Sequence, residues 1–151
     1  MDNKAVLSPE PKNIITSDLH EELLNAGDIA TFRKKYFDSF VDISLKEYLE
    51  NIIESRSLKR ADIVKASGLT ETYTYQIFAG IKSNPSRDKL IALAVGMRLS
   101  LDECQKFLRL AGVNPLYAKN SRDSVIIFGI NKALSVLQLN DMLFEMKEYT
   151  L

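Results

Sequence analysis

Three times along this chain a serine stands three residues ahead of a glutamate or glutamine at the head of an apolar-periodic run: Ser44 with Glu47, Ser100 with Glu103, and Ser135 with Gln138. At that spacing each side chain satisfies the other residue's free backbone N–H, so the pattern marks the first turn of a helix. Behind the first box come Leu45, Tyr48, Leu49, Ile52 and Ile53; behind the second, Leu101, Cys104, Phe107, Leu108 and Ala111; behind the third, Leu139, Met142, Leu143 and Met146. Each set recurs at intervals of three and four, the period of a helix with one buried face. Gly112 closes the second of these runs, and Pro115 bars its continuation.

The intervening segments read the same way. Ser17 is placed to cap a short helix through Asn25, ended by Gly27. Ile29, Phe32, Tyr36, Phe37 and Phe40 form a helical stripe with Arg33, Lys34 and Lys35 opposite. Ser57 is expected to cap a helix that turns Leu58, Ile63 and Val64 inward and stops at Ser67-Gly68, and Thr70 to cap another through Ala79, with Gly80 as its left-handed stop. Pro85 and Ser86 open a helix holding Leu90, Ile91, Leu93, Ala94 and Met97. The run from Ser121 to Leu134 contains the β-formers Val125, Ile126, Ile127, Phe128 and Ile130, but its neighbours are helical and no partner strand is in view, so a buried helix is expected. Residues 1–16, with Pro9 and Pro11 and no periodicity, read as a flexible arm. The expected class is all-α: N-terminal helices over 17–43, a central domain over 44–112, and a helical extension over 113–151 packed on the same core.

A chain of 151 residues suits one ordinary domain, and an apolar fraction of 46% supports a core. No apolar run approaches the roughly 18 residues that span a bilayer, and the first 16 residues lack the plan of a signal peptide. A cytoplasmic protein with no membrane partner is expected. The single cysteine excludes an internal disulfide. Net charge is zero, yet it is unevenly spread. Residues 56–90 carry seven bases and three acids, whereas residues 1–55 carry six bases and eleven acids. A basic centre of this kind is compatible with phosphate binding.

That basic centre contains the most informative unit, Leu58 to Asn84. Two short helices flank a tight turn at Ser67-Gly68-Leu69, where Gly68 suits a positive φ. Ala61 and Thr74 are small where the helices are expected to cross, and Leu69 and Ile77 can fill the wedge between them. This is helix-turn-helix geometry, which pushes its second helix into a DNA major groove. Residues 44–112 also resemble the xenobiotic-response-element family of helix-turn-helix regulators, which includes the phage repressors and Cro proteins. The matching residues are Ala61-Asp62-Ile63, Gly68-Leu69-Thr70, Tyr73 to Ile77, Gly80-Ile81-Lys82, Pro85-Ser86 and Leu90 to Ala94. The resemblance implies a lambda-repressor-like five-helix bundle that binds operator DNA as a homodimer.

On a helical wheel Thr74, Ile77 and Phe78 share the inward face of the second helix. Thr72, Gln76 and Ala79 then point away, with Tyr75 at the edge and Glu71 in the first turn. Glu71, Thr72, Tyr75 and Gln76 are the candidate base readers: a Gln amide pairs with an adenine edge, a Thr methyl meets thymine, and a carboxylate accepts from a cytosine amino group. Glu71 departs from the neutral amide common in the family. Lys59 and Arg60, Lys82, Ser83 and Asn84 in the following loop, and Arg87 are the candidate phosphate ligands. A helix-turn-helix regulator of transcription is therefore the leading expectation. The alternative is a bundle reused for protein interaction, with the acidic N-terminal helices as docking face for a protein partner. No enzyme, cofactor or metal site is expected: the chain has no phosphate-cradling glycine loop, no G-x-S-x-G and no H-E-x-x-H, and His20 and Cys104 have no accompanying motif.

Overall fold

The computed structural model describes residues 14–40, 42–81 and 84–151. Nine α-helices, one short 3-10 turn and no strand occur among the described residues, and no helix there is long and apolar enough to cross a membrane. The expected arm lies almost wholly outside the described residues. The chain divides into two compact units, the first ending at Asp42 and the second running from Ile43 to Leu151.

In the first unit, α1 spans Thr16–Leu24 and α2 spans Ile29–Lys35. The first begins two residues earlier than the sequence suggests: Ile15 is its N-cap, without a side-chain cap, and Ser17 lies inside. The second is capped by Asp28, whose carboxylate accepts from the Thr31 N–H and hydroxyl. These bonds outweigh the small opposing effect of desolvation and hold the Asp28 pKa below its ordinary value. The expected long stripe breaks after Lys35, giving way to a 3-10 turn at Phe37–Ser39. Phe32 and Tyr36 are buried with their rings tilted at 47° and centred 4.9 Å apart, while Ile29 is exposed.

The second unit is built around one helix. Its elements are α3 (Leu45–Ser55), α4 (Arg60–Ser67), α5 (Glu71–Phe78), α6 (Arg87–Gly96), α7 (Leu101–Leu110), α8 (Ser121–Asn131) and α9 (Val136–Glu145). All three capping boxes form, at the heads of α3, α7 and α9. In α6 the six consecutive residues Leu90 to Val95 are all buried. A helix apolar on every side must be surrounded. Accordingly α4, α7 and α9 all pack against α6, while α3 braces α5 and α7. The β-forming run is indeed a helix, α8, which pairs with α9 as a hairpin and also touches α7. Gly129 lets that pair close: an added Cβ would meet Leu139 Cδ1 at 2.6 Å. Among the remaining helix starts, Ser57 is not a cap. It sits at φ 50°, and Lys59 takes the N-cap position of α4 without a side-chain bond.

Candidate nucleic-acid interface

Helices α4 and α5 are joined by Gly68, Leu69 and Thr70. Gly68 has φ 70°, the left-handed conformation a side chain disfavours, and it reverses the chain at the end of α4. Ser67 then steadies the turn. It is buried; its hydroxyl donates to the Val64 carbonyl at 2.9 Å and accepts from the Leu69 N–H at 3.3 Å. Thr70 caps α5 by accepting from the Tyr73 N–H at 3.2 Å. The close crossing that seats the motif is not between Ala61 and Thr74. Ala61 is exposed. The close approach is between α4 and α6, where a Cβ on Gly96 would lie 2.8 Å from the Ser67 backbone nitrogen. Only a glycine fits there without movement.

Thr74, Ile77 and Phe78 are buried, as the wheel requires, and the hydroxyl of fully buried Thr74 is satisfied by donating to the Thr70 carbonyl. The opposite face of α5 carries Glu71, Thr72, Tyr75 and Ala79, all exposed, with Gln76 half-buried beside them. Tyr75 rests edge-on against Phe78, ring centres 6.4 Å apart. Ile81, just after α5, is 73% exposed, a large apolar side chain on the border of this face that the wheel did not single out.

The bases around the motif divide into two groups. Lys59, Arg60 and Lys65 are exposed on α4 or at its start, and the Arg60 guanidinium lies 5.7 Å from the Phe78 ring centre, tying the head of α4 to α5. Asn84 is exposed; Lys82 and Ser83 lie outside the described residues. The others are engaged within the chain. Arg56 pairs with Glu103, and the Lys89 ammonium stands 4.3 Å over the Tyr73 ring.

Arg87 corrects the expectation most directly. Its Nη1 and Nη2 donate to the two Asp123 oxygens at 3.0 and 2.8 Å, Nη2 also donates to the Pro115 carbonyl at 3.1 Å, and Nε donates to the Asn114 carbonyl at 2.9 Å. A guanidinium held as a bidentate fork on a carboxylate 5% exposed is a clamp between α6 and α8 rather than a free phosphate ligand. The Asp123 bond raises the Arg87 pKa further, against the opposing effect of burial. Burial would push Asp123 up, but the Arg87 fork and the Tyr117 N–H at 3.0 Å outweigh it and hold the carboxyl below its ordinary value. A second fork runs the other way: Arg122 of α8 grips both oxygens of Asp88 of α6 at 2.7 and 2.9 Å. Sequence reasoning missed this pairing. The available signal was a repeated tripeptide, Ser86-Arg87-Asp88 and Ser121-Arg122-Asp123, at the start of each helix.

Among the described residues no group of acids, histidines and cysteines is placed to hold a metal. Cys104 is buried in α7, and that burial pushes its thiol up to about 12, where it is a core side chain and not a nucleophile. No protein-family model, curated protein or solved structure matches the chain.

Proposed function

We propose that this protein is a sequence-specific double-stranded DNA-binding regulator of the phage repressor and Cro type, reading base edges with the outer face of α5. The observation that supports it most is the division of that helix. Thr74, Ile77 and Phe78 face the core, while Glu71, Thr72, Tyr75 and Gln76 are left toward solvent behind a left-handed turn at Gly68. Polar and small side chains on a presented helix are the groups that match base edges in a major groove. Lys59 and Arg60 stand at the start of α4, where uncapped backbone N–H groups and the helix dipole favour a phosphate. Lys82, Ser83 and Asn84 would extend the backbone contacts beyond α5, whereas Arg87 is left out of the set.

The test starts from duplexes selected out of a random pool. Gln76→Ala should weaken the selected site by about 1–3 kcal/mol and leave a scrambled duplex almost unchanged. Lys59→Ala should weaken both alike and make the salt slope shallower by about one unit. Thermal melts of both variants separate these effects from unfolding. Unaltered discrimination by folded Gln76→Ala would place sequence reading elsewhere, and failure to enrich any duplex would remove the DNA reading.

The same reading includes a homodimer, because two recognition helices on one DNA face lie about 34 Å apart and contact paired half-sites. Leu137 and Phe144, seven residues apart on one face of α9, are both exposed and supply apolar surface for self-association. Sedimentation of the protein on its selected site should show two copies per duplex. A one-to-one complex on a non-palindromic site would remove the dimer.

A further inference from the structure

The two reciprocal Arg–Asp forks draw their α8 partners, Arg122 and Asp123, from far along the chain, and they hold the residues that touch α5. Tyr73 of α5 accepts the Ser86 N–H on its hydroxyl at 3.1 Å and lies beneath the Lys89 ammonium. Ser86 and Lys89 flank Arg87 and Asp88, so the first turn of α6 carries both the support of α5 and both forks to α8. Arg122 uses its remaining donors as Arg87 does, but on the 148–151 segment. Beyond its grip on Asp88, its Nε donates to the Tyr149 carbonyl at 2.8 Å and Nη2 to the Thr150 carbonyl at 3.2 Å. The 148–151 segment is itself held, Glu148 by the Ser121 hydroxyl at 2.6 Å and the Leu151 N–H by Asn140 at 2.8 Å.

We infer that Arg122 is a positioning residue for the recognition helix: through Asp88 it sets the first turn of α6, whose Ser86 and Lys89 in turn orient Tyr73 and the reading face of α5. This rests on the DNA-binding reading above. The chemistry explains why an arginine is used. A planar fork with N–H groups on several edges can hold a carboxylate and two carbonyls at once, and an ammonium point charge cannot fix that geometry. A surface ion pair alone contributes little. Here the Asp88 side chain is 40% exposed, but Arg122 is only 18% exposed, grips it with two hydrogen bonds and is itself held by two carbonyls. The 148–151 segment thereby becomes part of the support of a helix more than 70 positions earlier in the sequence. Whatever displaces that segment from Arg122 loosens the DNA-reading surface without touching it.

The experiment reads the support and the binding separately. Hydrogen exchange in the free protein follows the Ser86 amide, which the Tyr73 hydroxyl protects, with amides of the α7 core as reference. Arg122→Gln and, independently, Asp88→Asn should each speed Ser86 exchange at least tenfold and leave the α7 core unchanged. Each should weaken the selected duplex on the order of tenfold with an unaltered salt slope, because no phosphate contact is lost. Tyr73→Phe, which keeps the ring and removes the hydroxyl, completes a double-mutant cycle. Combined with Arg122→Gln it should be no weaker than the worse single variant, since both act through one link. Additive losses, or unchanged Ser86 exchange in a protein that binds duplex, overturn the positioning role alone. A wild-type chain that binds no duplex overturns the DNA reading together with it, and the exchange data, which need no DNA, tell the two failures apart.

Discussion

Raising monovalent salt from about 50 to about 200 mM should weaken binding to the selected duplex by on the order of a thousandfold. Each phosphate neutralised by a lysine or arginine releases condensed counterions and contributes a slope of about −0.9 in log K against log salt. The number of such contacts can be bounded from the structure. Arg56 and Arg87 are committed to Glu103 and Asp123 and are discounted, as is Lys89, whose ammonium stands 4.3 Å over the Tyr73 ring, closer than Arg60 at 5.7 Å from Phe78. Lys59, Arg60 and Lys65 are exposed on α4 or at its start. With Lys82 of the proposed set, roughly three to four contacts per protomer give a slope of about −3 to −3.5, and two protomers on one site about −5.5 to −7. Over a fourfold change in salt, that slope corresponds to three to four decades. Titrations at several salt concentrations would measure it. A flat dependence would mean that the basic segment does not meet phosphate. A slope far steeper than about −7 would mean that bases beyond Lys59, Arg60, Lys65 and Lys82 do.

Helix starts were the most legible part of this fold, because a capping box is local chemistry. Ser44, Ser100 and Ser135 form theirs as read. The inward face of α5 was legible for the same reason: a period of 3.6 and a capping Thr70 place Thr74, Ile77 and Phe78 together. Errors arose where a local signal competed with the rest of the chain. Ser57 has the right side chain to cap α4, but Leu58 instead donates its N–H to the Ile53 carbonyl, leaving Ser57 in a left-handed turn between α3 and α4. The small residues Ala61 and Thr74 suggested the tight crossing, whereas it lies at Ser67 and Gly96, residues 29 positions apart that no short-range pattern connects. Arg87 illustrates the same limit at the candidate site. Its position just beyond α5 suits a phosphate ligand, and nothing in its neighbourhood reveals that Asp123, on a helix much later in the sequence, takes both ends of its fork. The repeated Ser-Arg-Asp tripeptide could have prompted that pairing, since two helix heads with the same alternating charges can only satisfy one another crosswise.

That clamp should dominate stability. Asp123→Ala removes a carboxylate that accepts from Arg87 twice and from the Tyr117 N–H, leaving the part-buried guanidinium with only the Asn114 and Pro115 carbonyls as partners. Breaking one partner of a buried pair costs about 3–5 kcal/mol, and the 27% exposure of the Arg87 side chain places this case at the lower end, about 3 kcal/mol. In a chain of this size each kcal/mol shifts the melting midpoint by about 2–4 °C, so a fall of about 9 °C is expected. Exposed Asp141→Ala, the control, should stay within about 0.5 kcal/mol. The pH dependence has a definite sign. Because Asp123 is held below its ordinary value in the folded chain, its contribution is complete above the unfolded carboxyl pKa of about 4 and disappears as pH falls through the lower folded value. The gap between wild type and Asp123→Asn in thermal melts should therefore be wide at pH 7 and close progressively below about pH 4. Arg87 remains charged throughout that range and adds no slope of its own. Replacing both partners, as Arg87→Met with Asp123→Leu, should recover part of the loss, because neither an isolated charge nor a carboxylate is then buried. Recovery cannot be complete: the Asn114 and Pro115 carbonyls lose their donor in that variant. A double variant no more stable than Asp123→Ala would show that those carbonyl bonds, and not the ion pair, hold α6 to α8.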